Sequence, residues 1–388
     1  MPRRPQLSLR RRRSSFREQF VEGNRVRLLR DGAEAFPPML AAIEEAREQV
    51  LVEMYWFDSD QIGRRFADAL KAARARGCEV AVMYDALGSI TADSTMFSDL
   101  REHGVQVVDW NPVAPWRQRF AADKLTRRNH RKLVIVDGRI AFTGGFNFAD
   151  HWLPPPDSEL SPWREDVVQV EGPVLGALLS DFHDLWSRGG GQPLRRAVAP
   201  PATAVGDQRV QVLGQAHSRQ RLEISRAYRR RIEAARERAW ISNSYFVPDQ
   251  GVVRALRRAA QRGVDVRILI SRISDIPMTR FASRARWETL LRAGVRIFEW
   301  QDRVMHSKSA VIDGYWSTLG SFNLDYISFN FNMELNVAIE DHAFGNTMEQ
   351  SFQRDLTNSV EVHLDDFRHR PLGEQILEAI LYRMRKVL

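Results

Sequence analysis

Apolar residues recur at helical spacing over 34–48, 61–76, 219–238 and 252–262. Each helical stretch leads into short runs rich in β-branched and aromatic residues. These are 50–56, 79–84 and 105–109, then 239–246, 265–270 and 295–299. Helix–strand alternation of this kind predicts an α/β layered domain with a largely parallel sheet. Beyond each set, two short apolar runs flank an Asp-Gly pair, Asp137-Gly138 and Asp313-Gly314, which is a hairpin signal. The tail LGEQILEAILYRMRKVL has the spacing of an amphipathic helix and is expected to pack on the preceding domain.

The pattern is written twice. AIEEAREQVLVEMYWF (42–57) aligns with RIEAARERAWISNSYF (231–246), and ALKAARARGCEVAVM (69–83) with ALRRAAQRGVDVRIL (255–269). GVQVVDW (104–110) aligns with GVRIFEW (294–300). Element order is the same in both halves, so the fold expected is two similar α/β domains produced by duplication. The break falls in SRGGGQPLRRAVAPPATAVGDQ (187–208), whose Gly, Pro and Ala content reads as a linker. The division expected is a basic segment over 1–30, a first domain over 31–188, a linker over 189–208 and a second domain over 209–388.

Composition narrows the partners. A formal net charge of +8 with a pI near 9.9 favours polyanions: nucleic acid, an anionic membrane surface or phosphorylated substrates. No run of about 18 apolar residues is present, so no transmembrane helix is expected. The start, MPRRPQLSLRRRRSSF, is basic but lacks the apolar segment of a secretory signal peptide. The single cysteine, Cys78, excludes an internal disulfide and reads as a small buried hydrophobe. Arginine carries nearly all the positive charge. The lysines are Lys71, Lys124, Lys132, Lys308 and Lys386, and two of these five sit at matched positions of the repeat.

Those two lysines mark the chemistry. NHRKLVIVDGRIAFTGGFNF (129–148) and MHSKSAVIDGYWSTLGSFNL (305–324) share seven of twenty identities. His130 and His306 stand 176 residues apart, as do Lys132 and Lys308, Asp137 and Asp313, and Asn147 and Asn323. In a strand, residues i and i+2 share a face, so each His-x-Lys projects an imidazole and an ammonium together. Small residues at Gly144-Gly145 and Gly320-Ser321 permit close approach of a ligand. Paired about a pseudo-twofold axis, the halves would set two lysines and two asparagines around a phosphodiester. One histidine would attack phosphorus while the other protonates the leaving alkoxide. No carboxylates or histidines cluster with metal-ligand spacing.

The doubled H-x-K-x-x-x-x-D with G-[GS]-x-N resembles the phospholipase D superfamily, over roughly 35–187 and 209–388. The resemblance implies two phospholipase D-like α/β domains related by pseudo-twofold symmetry, with a single active site at their interface. It implies a phosphohistidine intermediate and no metal or other cofactor. It makes His130 the nucleophile and His306 the acid, counts Lys132, Lys308, Asp137 and Asp313 with them as motif residues, and gives phosphate binding to Lys132, Lys308, Asn147 and Asn323. It also implies a carboxylate behind each histidine. The candidates are Glu165 in WREDVVQVE and Glu334 in NMELNVAIE, each matched with the histidine of its own half. The hairpin position of Asp137 and Asp313 points to turn formation more than to chemistry.

Within the superfamily the motifs are most similar to bacterial cardiolipin synthases of the shorter type. That implies transfer of a phosphatidyl group from phosphatidylglycerol or a related phospholipid to a lipid alcohol. The alternative is a phospholipase D-type hydrolase or nuclease. Loops 110–132 and 151–163 interleave Trp with basic or Pro residues beside the first motif and are expected to dock at a lipid interface. The Arg10–Arg13 run adds attraction to anionic lipid. The location implied is the bacterial cytoplasm, peripherally on the membrane. Nucleic acid becomes a partner only under the alternative reading.

Overall fold

The computed structural model describes residues 19–115, 119–121, 125–154, 156–159, 161–195, 203–215 and 222–384. The Arg10–Arg13 run, Trp116, Lys124, Lys386 and linker residues 196–202 lie outside the described residues. The first half contributes strands β1 (Val21–Arg30), β2 (Gln49–Met54), β3 (Glu79–Asp85), β4 (Gln106–Trp110), β5 (Leu133–Val136), β6 (Ile140–Gly144) and β7 (Asp166–Glu171). The second contributes β8 (Gln208–Gly214), β9 (Arg238–Asn243), β10 (Asp265–Ser271), β11 (Arg296–Trp300), β12 (Lys308–Ile312), β13 (Trp316–Gly320), β14 (Leu335–Glu340) and β15 (Ser359–Val362).

All fifteen strands join one sheet, ordered β15-β11-β10-β9-β12-β13-β14-β8-β1-β7-β6-β5-β2-β3-β4. Outward from the central antiparallel β1–β8 pair, the two halves repeat the same order, and β15 is an addition at one edge. The expected parallel sheet exists only in the outer part of each half, β2-β3-β4 and β9-β10-β11. The inner strands are antiparallel, because the Asp-Gly turns fold β5 onto β6 and β12 onto β13. Val21–Arg30, assigned by sequence to a basic segment outside the domains, is strand β1 and lies at the centre of the sheet.

Both faces of the sheet are covered, so a central strand such as β2 (QVLVEM) is buried at every residue. In the first half, helices Asp31–Glu45 and Gln61–Ala75 bury Phe36, Met39, Ile43, Phe66 and Leu70 against Val50 and Val52. Helix Leu175–Arg188 covers the other face through Leu178, Phe182 and Leu185, against Leu51 and Ile135. In the second half, helices Glu223–Ala234 and Gln250–Gln261 pack on one face and His342–Leu356 on the other. Among the described residues no helix is long and apolar enough to cross a membrane.

The hairpin aspartates are structural. Asp137 sits at φ 49 at the end of β5 remote from His130. Its carboxylate accepts from the backbone N–H groups of Arg47 (2.9 Å), Glu48 (2.8 Å) and Gln49 (2.9 Å), which closes the turn into β2. Asp313, at φ 52, does the same for Arg236, Glu237 and Arg238 ahead of β9. The strand that begins beside each histidine carries its aspartate away from that histidine, so both aspartates serve the turns that their hairpin positions suggest. Asp137→Ala is predicted to destabilise the fold by about 2–4 kcal/mol, since three N–H groups lose a charged acceptor. Denaturant unfolding should show that loss while the folded fraction keeps wild-type turnover. A folded, stable and inactive variant would return Asp137 to the chemistry.

Candidate active site

Both histidine segments lead into central strands, β5 and β12, and meet at the seam between halves. The seam is stitched by two short parallel bridges, Asn129 with Met333 and Arg164 with Met305. The His130 N–H donates to Met333 O (3.0 Å), and the His306 N–H donates to Arg164 O (2.8 Å). Met333 and Arg164 each precede a glutamate, so each bridge delivers the glutamate of one half to the histidine of the other. Glu334 accepts from His130 Nδ1 at 3.0 and 3.1 Å, and Glu165 Oε2 lies 2.7 Å from His306 Nδ1. Sequence alignment paired each glutamate with its own half; the fold exchanges them, because the seam sets the nearest neighbours.

The bridges are held by buried charge. Arg164 is fully buried, pairs with Asp166 (2.8 Å) and Asp355 (2.8 Å), and donates to the Glu165 carbonyl. Asp166 in turn accepts from Ser307 Oγ (2.5 Å) and Ser309 Oγ (2.7 Å), on either side of Lys308. Around His130, Arg128 binds Asp85, and Arg131 with Asn129 binds Glu53. Sequence reasoning passed over these residues because no repeat identity marks them.

His130, His306, Lys132, Lys308, Glu165 and Glu334 are all at most 8% exposed. Each lysine Nζ donates to the carbonyl of the histidine two residues before it, at 2.7 Å for Lys132 and His130 and likewise for Lys308 and His306. Burial pushes both ammonium groups down, Lys132 well below its ordinary value and Lys308 to about 8. The Tyr55 ring lies 4.8 Å from His130, with Lys132 Nζ 4.9 Å from its centroid. Tyr245 faces His306 and Lys308 from the other side. Asn147 and Asn323 are buried beside the motif ends: Asn147 Oδ1 accepts from Trp56 N (3.0 Å), and Asn323 Oδ1 has no hydrogen-bond partner among the described residues. Among the described residues no group of three or more His, Cys, Asp or Glu is placed to hold a metal ion.

The two carboxylates differ in their charged neighbours and in the donors around them. Ser321 donates to Glu334 (2.5 Å), joined by Ser328 Oγ (2.7 Å) and Asn332 Nδ2 (3.3 Å). Burial works to raise the Glu334 carboxyl, but His130, Lys132 and Ser321 together hold it below the ordinary carboxylate range. At the matching position, Gly145 only makes room: a Cβ there would overlap the Glu165 carboxylate. Glu165 keeps a weak contact from Trp152 Nε1 (3.4 Å) and one from the Asp166 N–H (3.1 Å). Burial therefore raises it to about 8. Burial also lowers both histidines, and His306 is lowered further by Lys308, Lys132 and His130.

With Glu334 held low and Glu165 raised, the two couples are biased toward opposite proton arrangements near neutrality. A Glu334 anion would accept His130 Nδ1–H and leave the Nε2 lone pair free. A protonated Glu165 would donate to His306 Nδ1 and leave a proton on Nε2. The loop before Glu165, seven residues longer than its counterpart, lays Trp152 and Trp163 against the His306 ring at 5.3 and 5.4 Å. That loop and the one before His130 were expected to dock on lipid. Their Trp152 and Trp110 are instead buried, because they fill the space behind the site and sheet.

Comparison with known proteins adds to this geometry. A family model described as cardiolipin synthase, PLD-like domain, matches residues 39–172 and 228–356. Cardiolipin synthase A of Pseudomonas putida (strain GB-1) is 35% identical over 364 residues, 93% of this chain and 75% of the relative. Cardiolipin synthase A of Pseudomonas aeruginosa (strain LESB58) is 35% identical over 352 residues, 90% of this chain and 70% of the relative. The phosphatidylserine synthase of Haemophilus influenzae Rd KW20 shares the fold, with a TM-score of 0.70 at 12% identity over 96% of this chain and 97% of that one.

Two predictions follow from the geometry. Glu334→Gln should cost at least about a hundredfold in kcat, because an amide can donate to Nδ1 and turn His130 to the wrong tautomer. Glu165→Gln imitates a protonated carboxyl but cannot pass its proton on, so it should keep the resting His306 tautomer while lowering kcat; a changed His306 tautomer in the nitrogen NMR spectrum would contradict the asymmetry. Lys132→Arg and Lys308→Arg preserve charge, yet each should lower kcat/KM at least about tenfold, since a planar guanidinium does not fit a fully buried ammonium site. Lys71→Arg, on the surface with Asp68 and Asp99, is the silent control. Near-normal turnover in both motif variants would reduce the lysines to charge alone.

Proposed function

We propose, for a chain that belongs to the cardiolipin synthase family of phospholipase D-like proteins, that it is a phosphatidyltransferase working through a phosphohistidine at His130. The observation that carries this reading is the crossed pair of histidine–glutamate couples, with unlike surroundings for the two carboxylates, in one buried site. An anionic phosphodiester fits where two ammonium groups stand beside a single carboxylate anion. Lys132 and Lys308 bind its non-bridging oxygens, and the amides of Asn147 and Asn323 complete the cradle.

His130 Nε2 attacks phosphorus. A P–N bond forms and the P–O bond to the glycerol headgroup breaks. His306 Nε2–H protonates the departing oxygen while Glu165 passes its proton to Nδ1. The Glu334 anion stabilises the positive charge that forms on the substituted imidazole. A lipid alcohol then enters, His306 takes its proton, Glu165 regains its own, and the new phosphodiester leaves His130. With phosphatidylglycerol as both donor and acceptor, the products are cardiolipin and glycerol. Water as acceptor would give hydrolysis instead. Phospholipid substrates call for a phospholipid surface, and the bacterial origin of its relatives supports a reading in which that surface is the cytoplasmic membrane.

The test is rapid quenching of radiolabelled phosphatidylglycerol with His306→Ala, alongside product analysis of the wild type. Label is expected on His130, and cardiolipin is expected from the wild type with or without EDTA. Label on His306 in the reciprocal variant, and never on His130, would reverse the roles. Phosphatidic acid or cleaved DNA as the main product would replace the transferase by the alternative hydrolase.

A further inference from the structure

The C-terminal helix, Leu372–Met384, buries Glu378 on its inward side beside Leu381, which packs on Val247 and Ala282. Glu378, 1% exposed, accepts from Arg284 Nε (2.7 Å) and from Arg370 Nε (3.0 Å) and Nη2 (2.9 Å). Arg284 also binds Glu374 (3.1 Å), and the Arg286 guanidinium lies 4.3 Å from the Tyr382 ring. The outward side is apolar. Leu372 (71% exposed), Ile376 (52%), Ile380 (49%) and Met384 (44%) stand at four-residue spacing along it, with Leu377 (40%) beside them. A helix free to choose would bury this stripe and expose its glutamates. Here ion pairs fix the reverse orientation.

This helix rests on helix Pro277–Arg284, and the segment leading into that helix exposes Ile273 and Ile276, with Met278 just inside it. The same segment reaches the active site, where Asp275 accepts from Tyr245 OH (2.6 Å) and Tyr245 faces His306 and Lys308. In the first half, the loop after β3 likewise exposes Leu87 and Ile90, and it packs at Gly88 against Tyr55, the ring beside His130. Exposed apolar side chains therefore border the site from both halves, and the helix stripe extends one of the two borders.

We infer that the outward stripe of helix Leu372–Met384 lies in the interface of an anionic phospholipid bilayer and holds the mouth of the active site against it. The inference rests on the reading of the substrate as a phospholipid. An in-plane helix needs one apolar side and basic residues at the headgroups; Arg383 is exposed in the last turn, and the chain carries a net charge of +8. A second copy of the chain is a poorer occupant. A stripe about 20 Å long and about 10 Å wide covers on the order of 200 Å², small beside the roughly 800 Å² per partner of a stable protein interface.

The chain permits a direct test, because its one cysteine, Cys78, is fully buried. Ile380→Cys carrying an environment-sensitive fluorophore should blue-shift on vesicles of phosphatidylethanolamine and phosphatidylglycerol. Ile376→Glu/Ile380→Glu should bind those vesicles at least about tenfold more weakly and lose bilayer turnover by a similar factor. On monomeric short-chain phosphatidylglycerol the same variant should match wild type, and Ile376→Leu/Ile380→Leu should behave as wild type throughout. Undiminished vesicle binding by the double glutamate variant would overturn the inference. So would a blue-shift that appears without lipid, together with dimers in light scattering, which would assign the stripe to self-association. Helix-dependent vesicle binding without phosphatidyl transfer would sink the proposed function and leave this inference standing. Transfer with binding indifferent to residues 376 and 380 would do the opposite.

Discussion

Two backbone bridges govern the site. Asn129 with Met333 and Arg164 with Met305 are short, but each fixes a histidine of one half against the glutamate of the other. Neither half alone holds a complete histidine–carboxylate couple. The single site is thus a consequence of pairing across the seam, and the continuous fifteen-stranded sheet keeps that seam closed. The buried charges about it, Arg164 with Asp166 and Asp355 on one side and Arg131 with Glu53 on the other, are costly to bury singly. Together they fix where each bridge can form.

A duplicated motif brings its own difficulty, since identical histidines would have identical roles. The divergence that separates them is small. Ser321 gives Glu334 a hydroxyl donor where Gly145 gives Glu165 only space. The Glu334 carboxyl is held low and the Glu165 carboxyl is raised, which biases one imidazole toward a free lone pair and the other toward a proton. Trp152 and Trp163 reinforce the difference by surrounding His306 with aromatic rings.

Much of this was legible in the sequence, for definable reasons. Period and repetition are local, and they located the helices over 61–76 and 252–262, the strands around them and both hairpins. The doubled His-x-Lys marked the chemistry, because lysine is otherwise nearly absent from the chain. What was not legible depends on long-range placement. Crossing of Glu165 and Glu334 is a property of the seam, which no within-half alignment contains. Strand β1 was hidden by its arginines and by the basic run before it. Loop tryptophans read as interface in the sequence, and burial decided for core at Trp110 and Trp152. Amphipathic spacing showed that Ile376 and Ile380 share a face but not which way it points. That was settled by Arg284 and Arg370, which capture Glu378 on the other side.

The central claim is that exchanged carboxylates give the two histidines opposite tautomers in the resting site. The most direct measurement is nitrogen NMR of ¹⁵N-histidine-labelled protein near pH 7, with His130 and His306 assigned by single substitution of each. The account predicts a proton on Nδ1 of His130 and on Nε2 of His306. The same tautomer on both rings, or the reverse assignment, would contradict it.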